Sequence, residues 1–497
     1  MNKKRICAVA VMIIVLVSAI FVLTACNKYK WDSIGAGDSA GTVVSNGGYY
    51  VEQGGYAYFI NGYVGDNDAN DWGTPYKQSI MRAALKEDGT IDNSTAKVVV
   101  PKSIYNQNVN GGFAIYGDWI YYATPNNDED NTGTASTTHT DFMRTKTDGS
   151  ITQLIGTINS RSSNYLFTPT RVLFSTDSNA TVYYFDFSGM KENKSLSNRK
   201  GVTEGALIEN ATSVVWGYDL SREAGAGAQV SDYVFYTEKL TDETNSYEFY
   251  NKLCCVRYDG TDRRVLLDNT SFLAEGDNYL NTPEKVFNFS LSKLYYESDN
   301  EVTLYYTKSI EVNSSSVSVG LYSNTFTLDG GLSAAGEKRL TENSTTTFFA
   351  MGKQDGILVL DNSKYYLVTG TEEGDVKLSD RVTVIGATST VQAVIGGYVY
   401  YTDSNALYRI NLDAASNEGS PNAEQVVSAG VKTDWLNLEF VVKGANVFFF
   451  YFDTEEYTYT SYVNLAAFDG EVLTPVMIGD MTQADKDAKA EEEAEEE

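Results

Sequence analysis

Apolar and aromatic residues alternate with polar ones in short runs along most of this chain, and the clearest run lies between Gly397 and Asp413. Val399 to Thr402 is aromatic and β-branched, which suits a pleated, half-buried strand. Asp403-Ser404-Asn405 is turn chemistry, because Asn and Asp tolerate left-handed φ and bond their own backbone. Leu407 to Leu412 again alternates with period two, so the stretch predicts a β-hairpin. After residue 30 no long run has the 3.6-residue apolar spacing of a helix.

The hairpin recurs. Aligned on the second residue of its aromatic pair, the series is Phe59, Tyr122, Phe174, Tyr236, Tyr306, Val359, Tyr401 and Phe449. A second hairpin strand follows each anchor, most clearly at Ile80-Met81-Arg82, Phe142-Met143-Arg144 and Leu407-Tyr408-Arg409. Several units close on Asp-Gly, at Asp88, Asp148, Asp259, Asp329 and Asp469. Thr176-Asp177-Ser178-Asn179-Ala180 is identical to Thr402-Asp403-Ser404-Asn405-Ala406. Short apolar strands precede most anchors, as at Phe113 to Tyr116 and Val391 to Ile395. Others follow, as at Val98 to Val100, Gln153 to Ile155 and Gln425 to Val427. Four short strands per repeat is the signature of propeller blades. The fold expected is all-β, a single β-propeller over residues 43–480. Eight blades are counted, and seven is the alternative because the units around Phe174 and Val359 are degenerate. Two stacked sandwiches are the rival architecture. Ring closure is left open between Thr42-Val43-Val44 and Tyr49-Tyr50-Val51 as a strand pairing with the last blade.

Tyr400-Tyr401-Thr402-Asp403 followed by Leu407-Tyr408-Arg409 resembles the YWTD repeat of the low-density-lipoprotein receptor propellers, with Tyr for Trp. Phe235 to Glu238 and Tyr305 to Lys308 are looser copies. The chain is more similar still to bacterial surface proteins carrying a related propeller domain of unknown function. The resemblance implies the fold and a binding role. The receptor propellers have six blades, and no functional residue carries over. Ser175 to Val182 resembles the Asp-box of sialidases, a structural turn even in those enzymes.

The N-terminus sets location. Lys3-Lys4-Arg5 precedes an uncharged stretch from Ile6 to Ala25, which as a helix is about 30 Å long, enough to span a bilayer. The basic flank stays in the cytoplasm, so the rest is exported. Leu23-Thr24-Ala25-Cys26 resembles the lipobox of bacterial lipoproteins, which implies a leader over residues 1–25 cut before Cys26 and diacylglycerol on that thiol. The alternative is an uncleaved signal anchor. Both readings put the ectodomain on the extracytoplasmic face of the cell membrane. Residues 26–42, with Gly35, Gly37 and Gly41, read as a flexible tether. Residues 481–497, which end in a run of glutamates, read as a disordered acidic tail.

The formal charge is −28. A chain this acidic repels phosphate backbones, so nucleic acid is not an expected partner. A monomer is expected. Cys254 and Cys255 are adjacent in a predicted strand and point to opposite faces, so they read as two packed thiols.

The loop between the second and third strands lies on one face of the disc in every blade. It is tight at Asp177, Asp361 and Asp403 and long over residues 61–78, 125–140, 238–251 and 309–318. Long loops on a rigid scaffold concentrate binding residues. Two of them are acidic and neighbouring, with Asp66, Asp68 and Asp71 in the first and Asp128 and Asp130 in the second. Alternating carboxylates resemble the start of a Ca²⁺ loop, but Lys77 and His139 stand at the twelfth positions, where that loop needs Glu. A solvated acidic loop is therefore the default, and no cofactor or metal is expected. A thermal shift with Ca²⁺ that an Asp66→Ala/Asp68→Ala double variant loses is the result that would establish a site.

Enzyme chemistry finds little support. Gly37-Asp38-Ser39-Ala40-Gly41 matches a nucleophile pattern without the strand and helix that make the elbow. His139 is the one histidine, which disfavours a Ser-His-Asp triad and zinc. Two function classes remain beside a binding scaffold for an extracellular protein or glycan. A carbohydrate-active enzyme predicts a central pocket with two carboxylates. A structural envelope component predicts protein partners and no small ligand.

Overall fold

The computed structural model describes residues 49–62, 79–100, 102, 104, 112–125, 139–159, 164–175, 181–216, 229–242, 247–268, 287–312, 315–332, 336–341, 346–348, 357–361, 364–368, 379–382, 389–411, 423–432, 440–452 and 458–479. These form eight antiparallel sheets. Each of the eight sequence anchors falls on the second strand of its own sheet, from Tyr56–Ile60 in blade 1 to Asn446–Phe452 in blade 8. The all-β propeller reading holds. Two short 3₁₀ turns, Val230–Asp232 and Leu465–Ala467, accompany the strands. No helix among the described residues is long and apolar enough to cross a membrane, and residues 1–48 lie outside them.

Six sheets have four strands in sequence order and two have five. The extra strand in each of those two comes from an interruption. In blade 5, Gly331–Leu332 and Lys338–Thr341 both pair with Ser315–Thr327, as two pieces of one outer strand. In blade 8, Val431–Lys432 and Val441–Lys443 both pair with Asn446–Phe452, as two pieces of one inner strand.

Aromatic packing between neighbouring sheets forms the core. Phe142 of blade 2 meets Tyr165, Phe167, Phe174 and Phe185 of blade 3. Tyr233 and Phe235 of blade 4 meet Phe326 of blade 5 edge-on. A sheet with two apolar faces can bury both only between two others, which is why the repeats must stack. Cys254 and Cys255 fit this rule. Both are buried and unpaired, Cys254 in the cluster shared with blade 3 and Cys255 in the cluster shared with blade 5. Burial pushes both thiols up to about 12. Neither is expected to react with a maleimide at neutral pH in the folded protein, and both should react after denaturation; rapid labelling of the native state would contradict this packing.

A row of arginines ties blade to blade. Arg82 Nη1 donates to Thr147 O of blade 2 (3.1 Å), and Arg144 Nη2 to Met190 O of blade 3 (3.4 Å). Arg171 Nη1 donates to Tyr258 O of blade 4 (3.1 Å), and Arg264 Nη1 to Leu328 O of blade 5 (2.8 Å). Every acceptor lies in the connection between third and outer strands of the next blade. Hydrogen bonds from a charged donor are each worth about 1.5–3 kcal/mol. Arg82, Arg144 and Arg409 also lie over the aromatic residue that opens their own second strand, at 5.1, 4.2 and 4.3 Å from the rings of Tyr56, Trp119 and Tyr398.

The Arg264 latch is set by Asp262, whose backbone has φ 47. Asp262 accepts from Arg264 Nε (2.8 Å) and Nη2 (2.5 Å) and from the Tyr233 hydroxyl. The Arg264 bonds, then the Tyr233 bond, hold its carboxyl down at about 2. A carboxylate depressed in the fold stabilises it above the unfolded value, about 3.9, and that contribution fades as pH falls through about 2. An Asp262→Asn variant, which keeps an αL-tolerant residue, should therefore lose less stability than the parent between about pH 4 and pH 2. Parallel acid titrations of the two would refute this.

The ring closes by face packing. Tyr49 is fully buried and its hydroxyl donates to Phe448 O of blade 8 at 2.7 Å. The Tyr50 ring stacks on Phe448 with centroids 3.8 Å apart. Thr460 Oγ1 donates to Ile60 O, and Gly479 N to Asn93 Oδ1 at 2.9 Å. One cluster runs through blade 1 into Phe448, Phe450, Tyr462 and Ile478. Tyr49-Tyr50-Val51 therefore does not extend the last sheet: Tyr50 and Val51 pair with Phe59 and Tyr58 of blade 1. Thr42-Val43-Val44 lies outside the described residues.

Candidate interaction face

Strands alternate in direction, so the turns between second and third strands share one face. Asp66, Asp68, Asp71, Asp128 and Asp130, expected on this face, all lie outside the described residues, as does Cys26. The flanks of their loops are placed: blade 1 resumes at Ile80 and blade 2 leaves at Pro125 and returns at Thr140. The turn at Asp177 lies outside the described residues, and so does the turn after Asp361.

Two of the four expected long loops are corrected to strands. Blade 4 sends up Tyr233–Asp242 and Tyr247–Arg257 as one hairpin, and blade 5 sends up Glu301–Val312 and Ser315–Thr327. The inner strand of blade 4 pairs no further than Glu238, while the hairpin continues through Leu240–Phe249 to Asp242–Tyr247. In blade 5 the inner strand stops at Ser309, and the hairpin runs on to Val312–Ser315. Two adjacent blades thus carry two-stranded extensions above the rest of their sheets. Their Thr, Tyr, Val and Ser content has the β propensity that loops lack.

The contrast is blade 7. Ser404 and Asn405 both have positive φ, 51 and 64, the type I′ turn that matches strand twist. Asp403 accepts from Ser389 Oγ (3.0 Å) and from Ser404 Oγ (2.9 Å). Asn405 O accepts from Val431 N of blade 8 at 2.9 Å. In this unit the residues of the Tyr-Tyr-Thr-Asp motif are committed to the turn and its neighbour.

Below the twin hairpins, blades 4 and 5 meet through polar groups. Thr237 Oγ1 lies 2.8 Å from Thr212 Oγ1 and 2.6 Å from Ser213 Oγ, and Ser213 Oγ accepts from Leu291 N of blade 5 at 3.0 Å. Further out, Lys308 Nζ is 2.5 Å from Glu337 Oε1, and the Tyr306 hydroxyl donates to Glu337 Oε2 at 2.5 Å. The Lys308 ammonium sits 4.4, 5.2 and 5.6 Å from the rings of Tyr322, Phe287 and Phe289. Burial, then the bond to Glu337, pushes the Tyr306 phenol far above its ordinary range. This is an ammonium cage filled by the chain's own lysine, and it fixes the base of the blade 5 hairpin. The Thr212, Ser213 and Thr237 hydroxyls are engaged with one another and the backbone, and the Tyr306 hydroxyl with Glu337. Among the described residues no group of three His, Cys, Asp or Glu side chains is placed to hold a metal ion.

Pattern reading passes over the arginine latches. Arg82 and Arg144 recur at one place in the repeat, which is a signal, but Arg171 and Arg264 stand on other strands, and all four acceptors are carbonyls in the next blade, which have no side-chain signature. Arg409 shares the place of Arg82 and Arg144 but bonds Glu424 of its own blade.

No family model matches the chain, and no curated protein matches it. Among solved structures it is similar to AztD of Citrobacter koseri, at 11% identity and a TM-score of 0.38, over 88% of this chain and 95% of that one. It is similar to a puromycin-hydrolyzing peptidase of Mycobacterium tuberculosis at 9% and 0.39, over 76% and 53%. It is also similar to a chain of the nidogen–laminin complex at 10% and 0.25, over 77% and 96%. At these scores none carries a functional argument.

Proposed function

We propose that this chain is a lipoprotein held on the extracytoplasmic face of the cell membrane, whose propeller is a binding scaffold for an extracellular protein or glycan. The observation that carries the anchoring is Leu23-Thr24-Ala25-Cys26 at the end of an uncharged stretch behind Lys3-Lys4-Arg5. Two acyl chains would hold the protein stably where one would not. The binding reading is supported by the uneven face: blades 4 and 5 raise hairpins that pair with no third strand among the described residues, while blade 7 ends in a two-residue turn. An exposed hairpin edge recognises extended chain by strand addition, which fits a protein partner. In this reading Asp66, Asp68, Asp71, Asp128 and Asp130 would add an acidic flank to that face.

Metabolic labelling with a palmitate analogue tests the anchor. Label should enter the parent and be lost from Cys26→Ala. Equal labelling of both would remove the lipoprotein reading. Pull-down of envelope proteins and glycans tests the scaffold, with a variant whose 240–249 extension is replaced by a two-residue turn. Capture of one partner by the parent and its loss from the variant is expected. Turnover of a captured glycan would favour an enzyme instead.

A further inference from the structure

In a chain of net charge −28 one surface segment is basic. Residues 188–201 connect the third strand of blade 3, Thr181–Asp186, to its outer strand, Thr203–Glu209. They include Lys191, Lys194, Arg199 and Lys200 against Glu192 alone. Lys191, Lys194 and Lys200 are exposed, and the Leu196 side chain between them is 48% exposed. Glu192 pairs with Lys146 at 2.9 Å and Arg199 lies 3.9 Å from Glu204. The three lysines have no carboxylate partner among the described residues.

The segment is held rigidly. Leu154 N donates to Leu196 O at 3.1 Å, Arg199 Nε to Ile155 O at 2.7 Å and Gln153 Nε2 to Lys191 O at 3.1 Å. All three bonds seat it on the outer strand of blade 2. Its two ends touch so closely that a Cβ on Gly201 would lie 2.1 Å from Gly189 O. Compact loops closed at the base and packed against a scaffold are frequently functional. Nothing in blade architecture needs three unpaired lysines around an exposed leucine.

We infer that the 188–201 loop is a second contact with the membrane, its lysines on anionic lipid headgroups and Leu196 at the interface. This rests on the lipid anchor proposed above. Three lysines near an anionic surface shift partition about a hundredfold, too little for a free acidic protein. For a protein tethered through residues 27–48 the local concentration reaches roughly millimolar, and the same weak contact then sets orientation. Extended at about 3.3–3.6 Å per residue, that tether spans some 70 Å. It thus lets the loop reach the bilayer although the tether joins at the opposite face.

The test uses the lipidated full chain in vesicles, with a spin label on Ser197→Cys; the two native propeller thiols are buried. Cosedimentation with vesicles is read first. A chain that does not cosediment overturns the anchored reading and this inference with it. In an anchored chain, the label should be shielded from a water-soluble relaxant on phosphatidylglycerol-containing vesicles. It should be accessible on pure phosphatidylcholine. Lys191→Glu/Lys194→Glu/Lys200→Glu should restore access with an unchanged melting temperature. Equal access on both vesicles, with cosedimentation intact, overturns the loop contact alone. Shielding on both that vanishes on deleting residues 485–497 assigns the loop to the chain's own acidic tail and also overturns it.

Discussion

Replacing Tyr49 by alanine is expected to destabilise the propeller by about 3–5 kcal/mol, the range for a fully buried aromatic. The side chain lies between blades 1 and 8, with its hydroxyl on Phe448 O and its ring 4.5 Å from that of Phe450. The variant leaves a cavity and strips the Phe448 carbonyl of its side-chain donor. Phe448→Ala should cost a similar amount, and the two should be non-additive, because Tyr49 and Tyr50 both pack on the Phe448–Phe450 stretch. Urea denaturation of the singles and the double measures this. An effect below about 1 kcal/mol for Tyr49→Ala would mean that the first and last blades do not depend on each other.

Gly201→Ala is the second large effect. Gly201 has φ +92, and a Cβ there would meet Gly189 O at 2.1 Å and Gly189 C at 2.5 Å. Both atoms are backbone, so the loop base must spread. A loss above about 2 kcal/mol is expected. Faster tryptic cleavage at Lys191, Lys194 or Arg199 should accompany it. Gly55→Ala is the control: φ is +79 but nothing lies within 4 Å, so only the left-handed conformation is charged, about 1–2 kcal/mol. Equal losses would show that the close approach of residues 189 and 201 contributes nothing.

Much of the fold was legible because the repeat is written in local pattern. Phe113–Tyr116 was readable to the residue, and four of five Asp-Gly pairs form the expected turn. Asp88, for example, accepts from Thr90 N at 2.9 Å with Gly89 at φ 78. Asp329-Gly330 departs: the positive φ moves to Gly331, and Gly330 N bonds Thr327 Oγ1 at 3.1 Å. The outer strand of blade 3 was missed, because the basic loop separates Thr203–Glu209 from its hairpin and the strand has few apolar residues. The hairpins of blades 4 and 5 read as loops because each extension is only a few residues long on either side of its tip, too short for the alternation in Ser309-Ile310-Glu311-Val312 to stand out as a strand. Ring closure depends on aromatic contacts between residues about 400 positions apart, which no local pattern encodes. The acidic positions from Asp66 to Asp130 and Cys26, the proposed lipidation site, are readable as motifs, and they lie outside the described residues.

The central claim is that eight copies of one hairpin unit stack face to face until the first meets the last. Pulsed electron paramagnetic resonance between labels on Lys86→Cys of blade 1 and Lys443→Cys of blade 8 tests it most directly, since both residues are exposed. A closed ring predicts one narrow distance of a few sheet spacings, each about 10 Å. A broad distribution reaching well beyond that would describe an open array and contradict the account.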